Sequence, residues 1–132
     1  MDVMTLPNRP LQEQIRTLER GLPSTTLAEI AKVLGLSKAR IVEGLKLVQR
    51  TITEREKKRA RFSPTESERL YRIVRIRSLA RDVFSTDLAV ADWMSAPDET
   101  LGKRSPLEML ATDLGARQVE NLICAMIHGV PV

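Results

Sequence analysis

Ser63-Pro64-Thr65-Glu66 opens the stretch that decides the fold, and Leu70, Ile73, Ile76, Ala80 and Val83 follow it at helical spacing. Ser63 is suited to cap, Pro64 to the first helical position, and Glu66 to close a capping box. The apolar residues then make a stripe of over five turns. The outer face carries Arg69, Arg72, Arg75 and Arg81, which serve either to solvate the helix or to extend a polyanion-binding surface. A helix this long at the middle of 132 residues organises its neighbours, and those also read as helices.

Upstream, Leu11, Ile15, Leu18 and Leu22 predict a short helix over 10–20, ended by Gly21. Pro23 blocks its continuation, and Ser24, Thr25 and Thr26 offer caps for a helix buried through Leu27, Ile30, Ala31 and Leu34, with Gly35 as its stop. Ser37 caps a third helix with Ile41, Val42 and Leu45 inward. A fourth starts near Val48 after a turn at Lys46 and Leu47, although no proline forbids one continuous helix over 38–59. Downstream, Ser85 or Thr86 starts a helix over 87–94 with Leu88, Ala91 and Trp93 inward, and Pro97 ends it. Ser105-Pro106-Leu107-Glu108 repeats the capping box for a helix of barely two turns, burying Leu107 and Leu110. Gly115 separates it from a last helix with the stripe Val119, Leu122, Ile123, Met126 and Ile127, stopped by Gly129. The fold class is all-α: an N-terminal helix-turn-helix module over 1–62 and a small helical domain over 63–132.

Aromatic residues make up only 3% of the chain, so Leu, Ile, Val, Ala and Met must fill its core. That favours helix packing over a β-sandwich. One cysteine, Cys124, excludes an intramolecular disulfide and fits a reducing cytoplasm. Residues 1–10 hold no long apolar run, which argues against a signal peptide, and no segment approaches the length of a membrane helix. With one histidine, His128, and no glycine-rich phosphate loop, the residues for a metal site, a Cys/His nucleophile or a nucleotide cofactor are missing. The reading is a binding protein, with no enzyme activity, cofactor or metal.

The charges are sorted along the chain. Residues 1–81 hold 18 Lys and Arg against 9 Asp and Glu, a net of +9, and residues 82–132 hold 3 against 8, a net of −5. Such polarity steers two different partners to two ends. From Arg50 to Arg61 there are six basic and two acidic residues. Two overlapping helix-turn-helix registers precede or contain that run. One runs from Ala31 through Gly35-Leu36-Ser37 into residues 38–45. The other runs from Val42 through Lys46-Leu47-Val48 into a recognition helix over 49–58. In the second, Gln49, Arg50 and Thr53 stand where base edges are read, and Arg55, Lys57, Lys58, Arg59 and Arg61 follow as backbone contacts. A single module of this kind binds weakly, so operator reading calls for a homodimer.

The most specific pattern is the string Ser63-Pro-Thr-Glu-Ser-Glu-Arg-Leu, Ala80-Arg-Asp-Val-Phe84, Trp93-Met94, Leu101-Gly102, Ser105-Pro-Leu-Glu-Met-Leu-Ala-Thr-Asp113, Gly115-Ala-Arg-Gln-Val119 and His128-Gly129-Val130. It resembles the Xre/MbcA/ParS family of antitoxins over about 70 residues, and more loosely through Arg50-Thr51-Ile52 and Arg55, which favours the second register. Ser85 and Lys103 stand where that family usually has glycine. The resemblance implies a non-enzymatic antitoxin of a type II toxin–antitoxin system. Its C-terminal domain would cover the active-site entrance of a RES-domain toxin that consumes NAD, and its N-terminal domain would bind and repress its own promoter. It implies a toxin–antitoxin hetero-oligomer. Arg104, Met126, Ile127, His128, Gly129, Val130, Pro131 and Val132 are the toxin-facing residues on this reading, with the apolar tail inserted into or apposed to the toxin cleft. The alternative is a stand-alone transcriptional regulator whose acidic half serves dimerisation or effector binding.

Overall fold

The computed structural model describes residues 2–129, and every described element is helical. The helices are α1 (Leu11–Arg20), α2 (Thr26–Leu34), α3 (Lys38–Gly44), α4 (Gln49–Lys58), α5 (Pro64–Ala80), α6 (Asp87–Ser95), α7 (Pro106–Met109) and α8 (Asp113–Ile127), with 3-10 turns at Val3–Asn8 and Glu99–Leu101. The expected all-α class is what the structure shows.

α5 is the axle. Its complete capping box at Ser63 and Glu66 fixes its start. Leu70, Ile73, Val74, Ile76 and Ala80 are buried against α1, α2, α6, α8 and the N-terminal 3-10 turn. Each fully buried Leu or Ile contributes about 1.5–3 kcal/mol relative to exposure. The helix is shorter than its stripe predicted. It ends at Ala80, and Val83 is in the turn that follows, with its N–H donating to the Ala80 carbonyl.

The N-terminus is knitted to the head of α5. The Leu22 N–H donates to the buried Ser67 hydroxyl at 2.8 Å, the Phe62 N–H to the Leu22 carbonyl at 3.0 Å, and the Arg61 guanidinium to the Gly21 carbonyl at 2.9 Å. A Cβ on Gly21, whose φ is +92°, would lie 2.1 Å from the Phe62 carbonyl oxygen. That crossing requires glycine. Residues 2–9, which gave no signal in the sequence, insert Val3, Met4 and Leu6 into the core. On α1, by contrast, Leu11 is 67% exposed and Ile15 half-exposed, so only the Leu18 end of that stripe meets the protein.

Further expectations are corrected. Leu88 is 68% exposed, because α6 buries Val90, Ala91 and Met94, and Leu88 lies two residues, about 200° of helical rotation, from Val90. Trp93 is half-buried, its ring 5.7 Å from that of Phe84. Gly115 separates nothing: α8 begins at Asp113, capped by Thr112, and Gly115 lies in its first turn. A Cβ there would sit 2.0 Å from the Met109 carbonyl oxygen, so glycine lets α7 and α8 meet closely. Cys124 is exposed. Ser105 caps α7, but its hydroxyl, not its N–H, meets the Glu108 carboxylate, so the second capping box is only half formed.

Candidate functional site

Both sequence registers fold as helix–turn–helix corners. Gly35 (φ +67°) turns α2 into α3, and Lys46 (φ +55°) turns α3 into α4. The continuous helix over 38–59 is therefore broken. The Leu47 N–H returns to the Val42 carbonyl at 2.9 Å and the Arg69 guanidinium donates to the Lys46 carbonyl at 3.1 Å.

The two second helices differ in what covers them. α3 is flanked by α2, α4 and α7. The side chain of Lys38 pairs with Glu56 and that of Arg40 reaches the Ser95 carbonyl. Gly44 lets Leu107 lie against α3, where a Cβ would be 2.8 Å away. α4 buries one residue, Ile52, and leaves its other side open. Along that side Gln49, Arg50, Thr53 and Lys57 recur at three- and four-residue spacing, all exposed. Gln49 donates to the Thr53 hydroxyl at 3.0 Å.

The remaining expected contacts divide. Lys58 is exposed and forms an i,i+4 pair with Glu54, and Arg59 is exposed at the left-handed C-cap of α4. Arg55 is held by the protein, while Arg61 is exposed and places one guanidinium nitrogen on it. Arg61 is tied to Gly21, and Arg55 clasps Glu66 through Nε at 2.8 Å, an acid already engaged by the Ser63 N–H. Burial by itself would raise the Glu66 carboxyl. The hydrogen bonds from Arg55 and Ser63 outweigh it and hold the group below the usual range. The arginines of α5 are likewise engaged: Arg72 with the Leu110 carbonyl, Arg75 with Glu120, and Arg77 and Arg81 with Asp87. Sequence spacing revealed these side chains as cations but not their partners, which come from α6 to α8.

At the other end, α8 finishes with Met126 and Ile127 half-buried, His128 exposed at the C-cap and Gly129 turning at φ +66°. Val130, Pro131 and Val132 lie outside the described residues. Arg104 does not join this end. It borders a groove with Lys46, Glu108 and Gln118, beside the start of α8. Exposed Leu114, which the sequence did not single out, lines the same groove. Among the described residues no group of His, Cys, Asp and Glu side chains is placed to hold a metal ion, and no helix is long and apolar enough to cross a membrane.

Comparison with known proteins follows this division. The family model for the antitoxin Xre-like helix-turn-helix domain matches residues 13–75, and that for the antitoxin Xre/MbcA/ParS C-terminal toxin-binding domain matches 79–129. The chain is 36% identical over 117 residues to an antitoxin Xre of Yersinia enterocolitica, covering 88% of this chain and 79% of the relative. The chain belongs to the Xre/MbcA/ParS antitoxin family. A Photorhabdus laumondii antitoxin Xre is 34% identical over 114 residues, covering 86% and 77%. One from Pseudomonas putida is 31% identical over 80 residues, covering 61% and 50%. As an Xre/MbcA/ParS antitoxin, the chain carries a helix-turn-helix DNA-binding domain followed by a helical domain of the toxin-binding type.

Proposed function

We propose that this antitoxin reads its own promoter with α4 and neutralises a RES-domain, NAD-consuming toxin with the far end of α8. The observation that carries the DNA-reading half is the exposed row Gln49, Arg50, Thr53 and Lys57 on a helix that follows a braced corner. Such a row presents hydrogen-bonding side chains to base edges at the helix N-terminus and cations to phosphates further along. Lys58, Arg59 and the exposed Arg61 add phosphate contacts, whereas Arg55 holds α4 in place. Two copies, each supplying one α4, read the two halves of an operator.

The toxin-facing surface is formed by Met126, Ile127, His128 and Gly129 with the tail 130–132. A cleft that admits NAD, an anionic dinucleotide, suits basic walls, and residues 82–132 carry a net of −5, which favours encounter. Neutralisation works by occupying the entrance, and the chain itself performs no chemistry.

Co-expression with a RES-domain toxin from a neighbouring reading frame tests this reading. Full-length protein relieves toxin lethality, and protein shortened by residues 127–132 does not. Equal rescue by both removes the tail from the mechanism, and failure of the full-length protein removes the antitoxin pairing. A gel-shift titration on the promoter with Arg50→Gln tests α4 separately.

A further inference from the structure

The groove beside Arg104 is a charged feature that neither half of this reading uses. It is lined by Arg40 and Glu43 of α3, Lys46 of the α3–α4 corner, Arg104 of the loop before α7, and Glu108 of α7. It continues past Lys46 and Arg104 to Thr112 and Gln118. The cations in it are weakly engaged. Arg104 Nε is 3.9 Å from Glu108 Oε2 with both side chains about half exposed, a pair worth little in water. Arg40 directs one Nη to the Ser95 carbonyl, which leaves most of its five donors free. Among the described residues the Lys46 ammonium has no ion-pair partner.

The Arg104 backbone is fixed in position. The Asp98 N–H donates to its carbonyl at 3.0 Å, and Gly102 and Lys103 turn the loop at φ +68° and +66°. Directly after it Ser105, itself buried, caps α7. The loop therefore fixes where the Arg104 side chain starts, while its guanidinium is half exposed and open to a ligand.

Its place identifies the ligand. Lys46 precedes Gln49 by three residues, so the two α-carbons are no more than about 11 Å apart. The major groove that admits a recognition helix is about 12 Å wide. That distance brings Lys46 within reach of a phosphate strand bordering the groove that α4 would enter, and Arg104 lines the same groove as Lys46. The toxin-facing end of α8 lies elsewhere: Met126 is eleven residues, about 16 Å of helix, beyond Gly115, which shares this groove. We propose that Arg104 and Lys46 together clasp the DNA backbone beside the half-site, so that the toxin-binding domain supplies part of the operator contact. This rests on α4 being the recognition helix.

The test is fluorescence anisotropy of the full-length protein on a duplex of its own promoter across a salt series. Arg104→Gln and Lys46→Gln are each expected to weaken binding several-fold at moderate salt and to reduce the slope of log K against log salt by about one unit. Arg104→Lys keeps the charge and is expected to keep the slope. Arg50→Gln serves as the control. If it lowers affinity while Arg104→Gln retains the wild-type slope, the proposal falls and the reading of α4 stands. The same holds if Arg104→Gln weakens toxin binding with an unchanged DNA slope, which gives that arginine to the toxin. If wild-type protein does not bind the promoter, the reading of α4 falls and this proposal with it.

Discussion

Arg69 on α5 places a guanidinium nitrogen 3.1 Å from the carbonyl oxygen of Lys46 and 3.4 Å from that of Leu45. The corner that aims α4 is thereby tied to the helix at the centre of the molecule. Replacing Arg69 with Met removes the donor and leaves two turn carbonyls to water. We expect a loss of about 1–2 kcal/mol in urea unfolding. Promoter affinity should also fall, because the corner that carries α4 loosens. Affinity that stays at the wild-type level would mean that the corner needs no brace.

Lys46→Gly separates strain from charge. A left-handed lysine costs about 1–2 kcal/mol, and glycine returns about half of that through its greater freedom when unfolded. Stability should therefore rise by about 0.5–1 kcal/mol in denaturant titrations while promoter binding weakens. A protein that is stabilised and binds as before would show that the Lys46 ammonium has no phosphate to meet.

Arg50 and Arg55 are expected to behave as opposites. Arg50→Gln should leave the unfolding midpoint in place and flatten the salt dependence of promoter binding by about one unit. Arg55→Gln breaks the pair with Glu66 and should lower the midpoint, with the salt slope preserved in the fraction that remains folded. Calorimetry combined with the salt series distinguishes them, and matching phenotypes would contradict the geometry of α4.

Glu66 gives a pH signature. Its folded carboxyl titrates below the usual value, so its contribution to stability is complete above the unfolded pKa of about 4.3 and fades as pH falls through the lower folded value. Asp87, lowered first by its hydrogen bond from Arg77, acts in the same direction. The stability difference between wild type and Glu66→Gln should be constant from neutral pH down to about 5 and shrink below it. A difference that grows on acidification would reverse the sign assigned to this pair.

Gly115→Ala should destabilise the protein by about 1–3 kcal/mol, since the added methyl meets the Met109 carbonyl rather than a movable side chain. Thermal unfolding reads this directly. An unchanged midpoint would mean that the α7–α8 corner opens at no cost.

The sequence was most legible where the signal is local. Ser37, Ser63, Thr86 and Ser105 each accept a backbone N–H at a helix start, as their spacing announced, and the buried faces of α2, α3 and α5 followed from periodicity. It was least legible where the reason lies across the fold. Gly115 read as a breaker because Met109 is what makes it necessary. Leu88 read as inward because its spacing to Ala91 fits a helix face, but the face that α6 buries is set by Val90 and Met94. The arginines of α5 read as a free basic face because their acceptors are up to 45 residues away. In the candidate surface, Gln49, Arg50 and Thr53 were recognisable as a row, but that Arg55 meets Glu66 depends on where the chain after α4 starts α5.

The anchoring of α5 also limits how such chains can be recombined. The helix-turn-helix match reaches residue 75 and the toxin-binding match begins at 79, so the natural joint falls inside one uninterrupted helix. Arg72 and Arg75, on the near side of that joint, bond to Leu110 and Glu120 on the far side. A hybrid with one relative's DNA reader and another's toxin-binding end inherits a mismatched seam unless these partners travel with the arginines. Specificity for an operator and specificity for a toxin are thus inherited as a set, and a new pairing of the two requires compensating changes along a single face of one helix.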